Sequence, residues 1–146
     1  MNNIRKVMWQ WGDAREQASR YQSQIRDFEK RLDDIRGLSS PSLDGMPHGT
    51  GISNPTARKA EKIIQLCDLY EETIIQTYYL LNRTLDIMVK VDGLLEECSP
   101  LQRNIAYLRY RERRPWVYIS MKLSVSEAWA RKQDEQMCRY ITEAIK

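Results

Sequence analysis

Apolar residues in the first 36 positions follow one repeat. Ile4, Val7, Trp11, Ala14, Ala18, Tyr21, Ile25, Phe28, Leu32 and Ile35 advance in alternating steps of three and four, and most positions between them are charged, Gln or Ser. A seam sustained over more than four heptads must pack on another helix. It predicts a helix over about residues 3–36, roughly 50 Å long at 1.5 Å per residue. Gly37 stands where a C-terminal cap is expected.

Residues 37–55 break the pattern and hold four of the six glycines and three of the five prolines, which predicts a loop. A second long helix is expected over about residues 56–97, with Ser53 and Thr56 as caps around Pro55. Ala60, Ile64, Cys67, Ile74, Tyr78, Leu81, Leu85 and Met88 form its main stripe. Ile63, Leu69, Tyr70, Ile75 and Leu80 widen it, so the helix should meet more than one neighbour. Asp92-Gly93 is a candidate interruption. The two long helices can pair as an antiparallel hairpin within one chain or as a coiled coil between chains.

From Ser99 the periodic runs shorten. Ser99-Pro100 opens a helix to about Tyr110 that buries Leu101, Ile105 and Leu108. Arg111 to Pro115 form a basic turn, and Trp116 to Leu123 a helix burying Trp116, Ile119 and Leu123. Ser124-Val125-Ser126 is a tight turn, with Ser126 capping a last helix from Glu127 to about Ile145. Trp129, Met137, Tyr140, Ile141 and Ala144 are its expected inward residues. The fold class is therefore all-α: two long coiled-coil-like helices (residues 1–98) followed by a three-helix helix-turn-helix module (residues 99–146).

Charge adds a direction to this picture. Residues 99–146 carry 10 Lys and Arg against 5 Asp and Glu, whereas residues 1–98 carry 13 against 15. A basic end joined to a nearly neutral end suits a polyanion. In a helix-turn-helix the later helix enters the major groove by its N-terminal residues. Ser126, Glu127, Ala128, Arg131 and Lys132 are the expected base-facing set, Arg131 and Lys132 having the reach and donors for guanine. Arg109, Arg111, Arg113, Arg114 and Lys122 are the expected phosphate contacts. Small Ser120 should let the two helices approach closely. The alternative is a generic three-helix bundle with an arginine-rich surface.

Other chemistry finds little support. Cys67, Cys98 and Cys138 are widely spaced and fit reduced thiols, and His48 has no partner ligand, so no metal or cofactor is expected. His48-Gly49-Thr50-Gly51 fits no nucleotide motif. No nucleophile elbow is present, and an enzyme is not expected. No apolar run reaches membrane-spanning length, which leads to the expectation of a soluble, cytoplasmic protein.

The run from Ser99 to Ile141 resembles region four of bacterial sigma factors, through Leu108, Arg109, Tyr110, Trp116, Ile119, Leu123 and Ser126. It departs from that pattern where Arg113 and Ser124 replace glycines and where Trp129 fills a slot usually held by Val. Leu43 to Ala60 is similar to a segment of ArpU and RinA-like regulators, late-gene activators of phages and prophages in low-GC Gram-positive bacteria. The resemblance implies a transcription regulator in a bacterial host cell. It would bind double-stranded DNA through the C-terminal module and form homo-oligomers, a dimer first, through the long helices. Host RNA polymerase is a further expected partner. Ile4, Val7, Trp11, Tyr21, Ile25, Phe28, Leu32 and Ile35 are then the packing or oligomerisation seam. Two alternatives carry the same features: a small terminase subunit binding a packaging site, and a coiled-coil adaptor of RNA polymerase or sigma factor.

Overall fold

A computed structural model describes residues 3–39 and 54–146. The central loop expectations, including His48 to Gly51 and the cap at Ser53, lie outside the described residues. Helix α1 spans Lys6–Ser39, α2 Asn54–Glu96, α3 Pro100–Ala106, α4 Trp116–Leu123 and α5 Glu127–Ile145, with a π-helical turn over Tyr107–Arg111 continuing α3. No strand occurs among the described residues. No helix there is long and apolar enough to cross a membrane.

Helix α1 starts and ends about three residues later than expected, and α2 starts two residues and ends one residue earlier, shifts ordinary for helix boundaries. Helix α1 passes through Gly37, and α2 starts with Pro55 in its first turn. Helix α2 also runs unbroken through Asp92-Gly93. Asp92 has a structural task there, since its Oδ1 accepts the Trp11 indole N–H at 2.9 Å.

Two compact units divide the chain, one formed by residues up to Ser19 with Asn82–Lys146, the other by Arg20–Leu81. Both cut through the long helices rather than parting near residue 98, where the sequence pattern changes. The cause is that the start of α1 and the end of α2 share an apolar core with the short helices.

In the Arg20–Leu81 unit, α1 and α2 pair antiparallel within the chain. Phe28 meets Tyr70 with ring centres 6.1 Å apart. Tyr78 Oη donates to Glu29 Oε1 at 3.3 Å, and Arg36 is ion-paired with Glu71. Ile25 and Leu32 are buried, while Tyr21, Phe28 and Ile35 are half-buried. The α1 seam is thus covered by α2 of the same chain. The stripe of α2 that covers it is Ile63, Cys67, Tyr70, Ile74, Thr77 and Leu81, all buried or half-buried. Ile64, Tyr78 and Leu85, expected in that stripe, are exposed instead.

In the other unit, Met8, Trp11, Val91, Leu95, Ala106, Tyr110, Met137, Cys138 and Ile141 form one core, with Ile4 and Val7 packed at its edge. Ile105, Leu108, Ile119 and Ala130 form a second, smaller one. Gly12 lets α1 approach the π turn closely, because a Cβ there would lie 2.0 Å from the Tyr110 carbonyl oxygen. That distance is far inside van der Waals contact, so no other residue fits without moving backbone.

Candidate nucleic-acid interface

Local sequence chemistry sets each boundary of the C-terminal helices. Ser99 closes a capping box with Gln102 ahead of Pro100, which begins α3. The wider π turn ends with Glu112 N donating to Tyr107 O at 3.0 Å. Arg113 then takes a left-handed φ of 56°, and Pro115 precedes the first turn of α4. Helix α4 ends at Ser124, also left-handed with φ 56° and ψ 44°, and Val125 N donates to Ser120 O at 3.1 Å. That is the closure a C-cap glycine usually provides. Ser126 Oγ accepts from Trp129 N at 3.1 Å and starts α5. Both α4 and α5 have the bounds the sequence pattern predicts.

The inward face of α5 is Ala130, Asp134, Met137, Cys138 and Ile141. Trp129, Tyr140 and Ala144, expected inside, are exposed. The expected stripe had the wrong phase because it excluded Asp134, which lies at the centre of the buried face. Asp134 is 0% exposed and fully engaged: Tyr110 Oη donates to its Oδ1 at 2.7 Å and Arg5 Nε to its Oδ2 at 3.1 Å. Burial alone would lower the Arg5 pKa, but the hydrogen bond and charge of Asp134 outweigh it and raise it. Cys138 Sγ lies 3.2 Å from Tyr110 Oη. Burial, reinforced by the Asp134 charge, pushes the Cys138 thiol up to about 12 and the Tyr110 phenol well above its ordinary value. This network, with Thr142 Oγ1 donating to Ile4 O at 2.8 Å, ties α5 to the start of α1 and the π turn. Asp134 is not among the residues singled out from sequence; its i+4 spacing to Cys138 and flanking by Ala130 and Met137 is the signal that places it inside.

The opposite face of α5 presents Ser126, Glu127, Ala128, Arg131 and Lys132, all exposed. The five residues expected to face bases therefore share one solvent-facing surface. Lys132 Nζ sits 5.7 Å from the Trp129 ring centre, and the Arg131 guanidinium 5.8 Å from that of Trp116. Both distances fall within cation–π range.

The expected phosphate-binding cations divide into three situations. Lys122, Arg113 and Arg114 are exposed. Arg113 is ion-paired with Asp13, and the Arg114 guanidinium lies 4.7 Å from the Tyr118 ring centre. Arg109 is half-buried between Trp9 (5.6 Å) and Trp116 (5.0 Å), and its Nη1 donates to the Arg114 carbonyl at 3.1 Å. Arg109 is thus a brace of the basic turn. Arg111 is placed differently from the other four. Its guanidinium lies 4.1 Å over Trp11 and 4.9 Å over Tyr107, with Nη2 at 3.5 Å from Asp92. Nε and Nη2 are buried without a hydrogen bond, and burial, then Arg15, lowers its pKa.

Among the described residues no cluster of His, Cys, Asp and Glu is placed to hold a metal. No protein-family model, curated protein or solved structure matches this chain.

Proposed function

We propose that the chain is a sequence-specific DNA-binding transcription regulator of phage late genes, in which α4, the Ser124–Ser126 turn and α5 act as a helix-turn-helix. The observation that carries this reading is the shared exposure of Ser126, Glu127, Ala128, Arg131 and Lys132 on the first turns of α5. They follow a tight turn, as the major-groove helix of that motif does. Arg131 and Lys132 read base edges, with Ser126, Glu127 and Ala128 at the groove edge. Arg113, Arg114 and Lys122 sit on flanking elements and hold phosphates, while Arg109 and Arg111 shape the turn from inside. The long helices supply dimerisation.

Selection of duplexes from a random pool tests this reading, followed by titration of the winning and scrambled sequences at several salt concentrations. Arg131→Ala should cost about 1–3 kcal/mol on the selected site and relax one base position. Arg114→Ala should weaken both duplexes alike and reduce the salt slope by about one. Equal losses on both duplexes for the two variants, or no salt-dependent duplex binding at all, would overturn the assignment.

A second reading has one observation of its own. Val117, Tyr118 and Met121 of α4 are exposed, Met121 by 76%. An apolar surface of that kind suits a protein partner, and on this reading the chain is an adaptor of RNA polymerase or sigma factor. Pull-down of polymerase lost on Met121→Glu, with duplex binding absent, is its expected signature.

A further inference from the structure

Helix α5 exposes two large aromatic side chains, Trp129 by 45% and Tyr140 by 44%. Tyr140 has a task inside the molecule, since its Oη donates to Glu97 just beyond α2. Trp129 has none of that kind. Its backbone N–H donates to Ser126 Oγ at 3.1 Å, but its indole N–H meets no acceptor among the described residues. Nearly half of a large apolar ring thus stays in water on the first turn of the helix that follows the tight turn. Rings of this kind, apolar with one polar edge, are enriched where a partner surface covers them.

The surroundings of the ring narrow what that surface is. At about 100° per residue, the solvent-facing side of α5 runs in the order Arg131, Ala128, Lys132 and Trp129, with Ala130 and Asp134 on the buried side. The Arg131 guanidinium leans toward α4, 5.8 Å from the Trp116 ring centre, and Lys132 Nζ lies 5.7 Å from that of Trp129. Glu135, one turn further on, is held by Arg139 at 2.8 Å. The indole therefore shares its face with two cations and one small side chain. A cover that accepts both cations is a polyanion rather than an apolar protein face.

In a helix-turn-helix these turns lie against base edges in the major groove. Of the four standard base edges there, only that of thymine offers an apolar group, its 5-methyl, and it does so beside the O4 acceptor. Indole offers an apolar ring and one N–H donor, with no acceptor. It therefore suits thymine, and it has nothing to accept from the amino group that cytosine presents instead.

We propose that Trp129 is a specificity-determining residue that covers the 5-methyl group of a thymine in the recognised duplex, beside the base that Arg131 reads. The inference rests on the DNA-binding function proposed above and deepens it by naming a base feature of the site. It gives the exposed ring on α5 a role that a phosphate-binding surface alone would not need, since phosphates call for cations and hydrogen-bond donors.

The test removes the methyl and the ring separately. The full chain first selects its site from random duplexes, and each thymine of that site, on either strand, is then replaced singly by uracil. This takes away the methyl and keeps the pairing and the O4 acceptor. At a thymine beside the position that Arg131→Ala relaxes, affinity should fall about three- to fivefold, the worth of one buried methyl. Trp129→Ala, with unchanged helical circular dichroism because the ring is exposed, should weaken binding to the thymine duplex by at least that factor. It should lose nothing further on the uracil duplex. Trp129→Phe keeps an apolar ring and should keep the response to the methyl. A selected site whose thymines are all replaceable without loss would overturn the proposal while the DNA reading stands. So would a methyl response that persists in Trp129→Ala, which would assign the methyl to Ala128. A chain that selects no duplex would overturn both.

Discussion

The two stretches of the α1–α2 hairpin bury their seams to very different depths. Near its open end, Met8, Trp11, Val91 and Leu95 are at most 2% exposed, because α3, the π turn and α5 close over them. Among the described residues between Arg20 and Leu81, no side chain is completely buried: Ile25, Leu32, Thr77 and Leu81 are the best covered. One seam between two helices shields one face of each and leaves the flanks wet. The same heptad pattern thus gives a core in one place and a ribbon in the other. What distinguishes them is the third layer that α3, the π turn and α5 add in the first.

Core truncation should separate the two regions most widely. Trp11→Ala removes the largest buried side chain together with its hydrogen bond to Asp92 and the aromatic face under Arg111. A cost of about 3–5 kcal/mol is expected. Leu32→Ala removes a comparable seam residue where relaxation is easier, and about 2 kcal/mol is expected, the low end for such truncations. Denaturant midpoints measure both. Amide exchange locates them, with Trp11→Ala exposing α3–α5 and Leu32→Ala only residues 20–81. Equal costs would show that the ribbon is packed as a core.

Alkali should act on the core region through its buried acids. Tyr110 and Cys138 are both held neutral, their pKa values raised in the folded chain. For a raised acid the stabilisation is complete below the unfolded value, here 9.0 for the thiol, and is lost as pH rises toward the folded value of about 12. Stability should therefore be flat from neutral pH to about 9 and fall steeply above it, and Cys138→Ala should shallow the fall. Denaturant titrations at successive pH values read this directly. A profile as steep in Cys138→Ala as in the wild type would remove the thiol from the explanation.

Much of this architecture is legible in sequence because its signals are local. Ser99-Pro100, Pro115 and Ser126 fix helix starts by chemistry confined to one turn, and the structure puts α3, α4 and α5 where they point. The exposed set from Ser126 to Lys132 was legible for the same reason: it is the first two turns of a well-capped helix. What was not legible depends on neighbours distant in sequence. Helix α2 has apolar residues on several stripes, so nothing local says whether Ile63 or Ile64 meets α1. Arg111 reads like Arg113 and Arg114 until Trp11 and Tyr107 close around it. Asp134 reads as solvent-facing until Tyr110 and Arg5 arrive from elsewhere.

Two positions join both kinds of signal and carry the smallest expected effect. Arg113 and Ser124 are the two non-glycine residues of positive φ among the described residues, both at 56°. A left-handed conformation costs an L-residue roughly 1–2 kcal/mol, and glycine avoids it. At Ser124 the side chain takes no part in the cap bond, which runs from its own backbone N–H to Ser120 O. Ser124→Gly should therefore stabilise the chain by about 1 kcal/mol, offset in part by the greater freedom of glycine when unfolded. At Arg113 the same change also removes the ion pair with Asp13 and the guanidinium 5.6 Å from the Trp9 ring centre. An exposed pair of that kind contributes up to about 1 kcal/mol, so Arg113→Gly should come out near neutral. Thermal midpoints of the two single variants decide it: a rise for Ser124→Gly larger than that for Arg113→Gly is expected. The reverse order would mean that the Asp13 pair contributes nothing and that strain in the basic turn exceeds strain in the turn before α5.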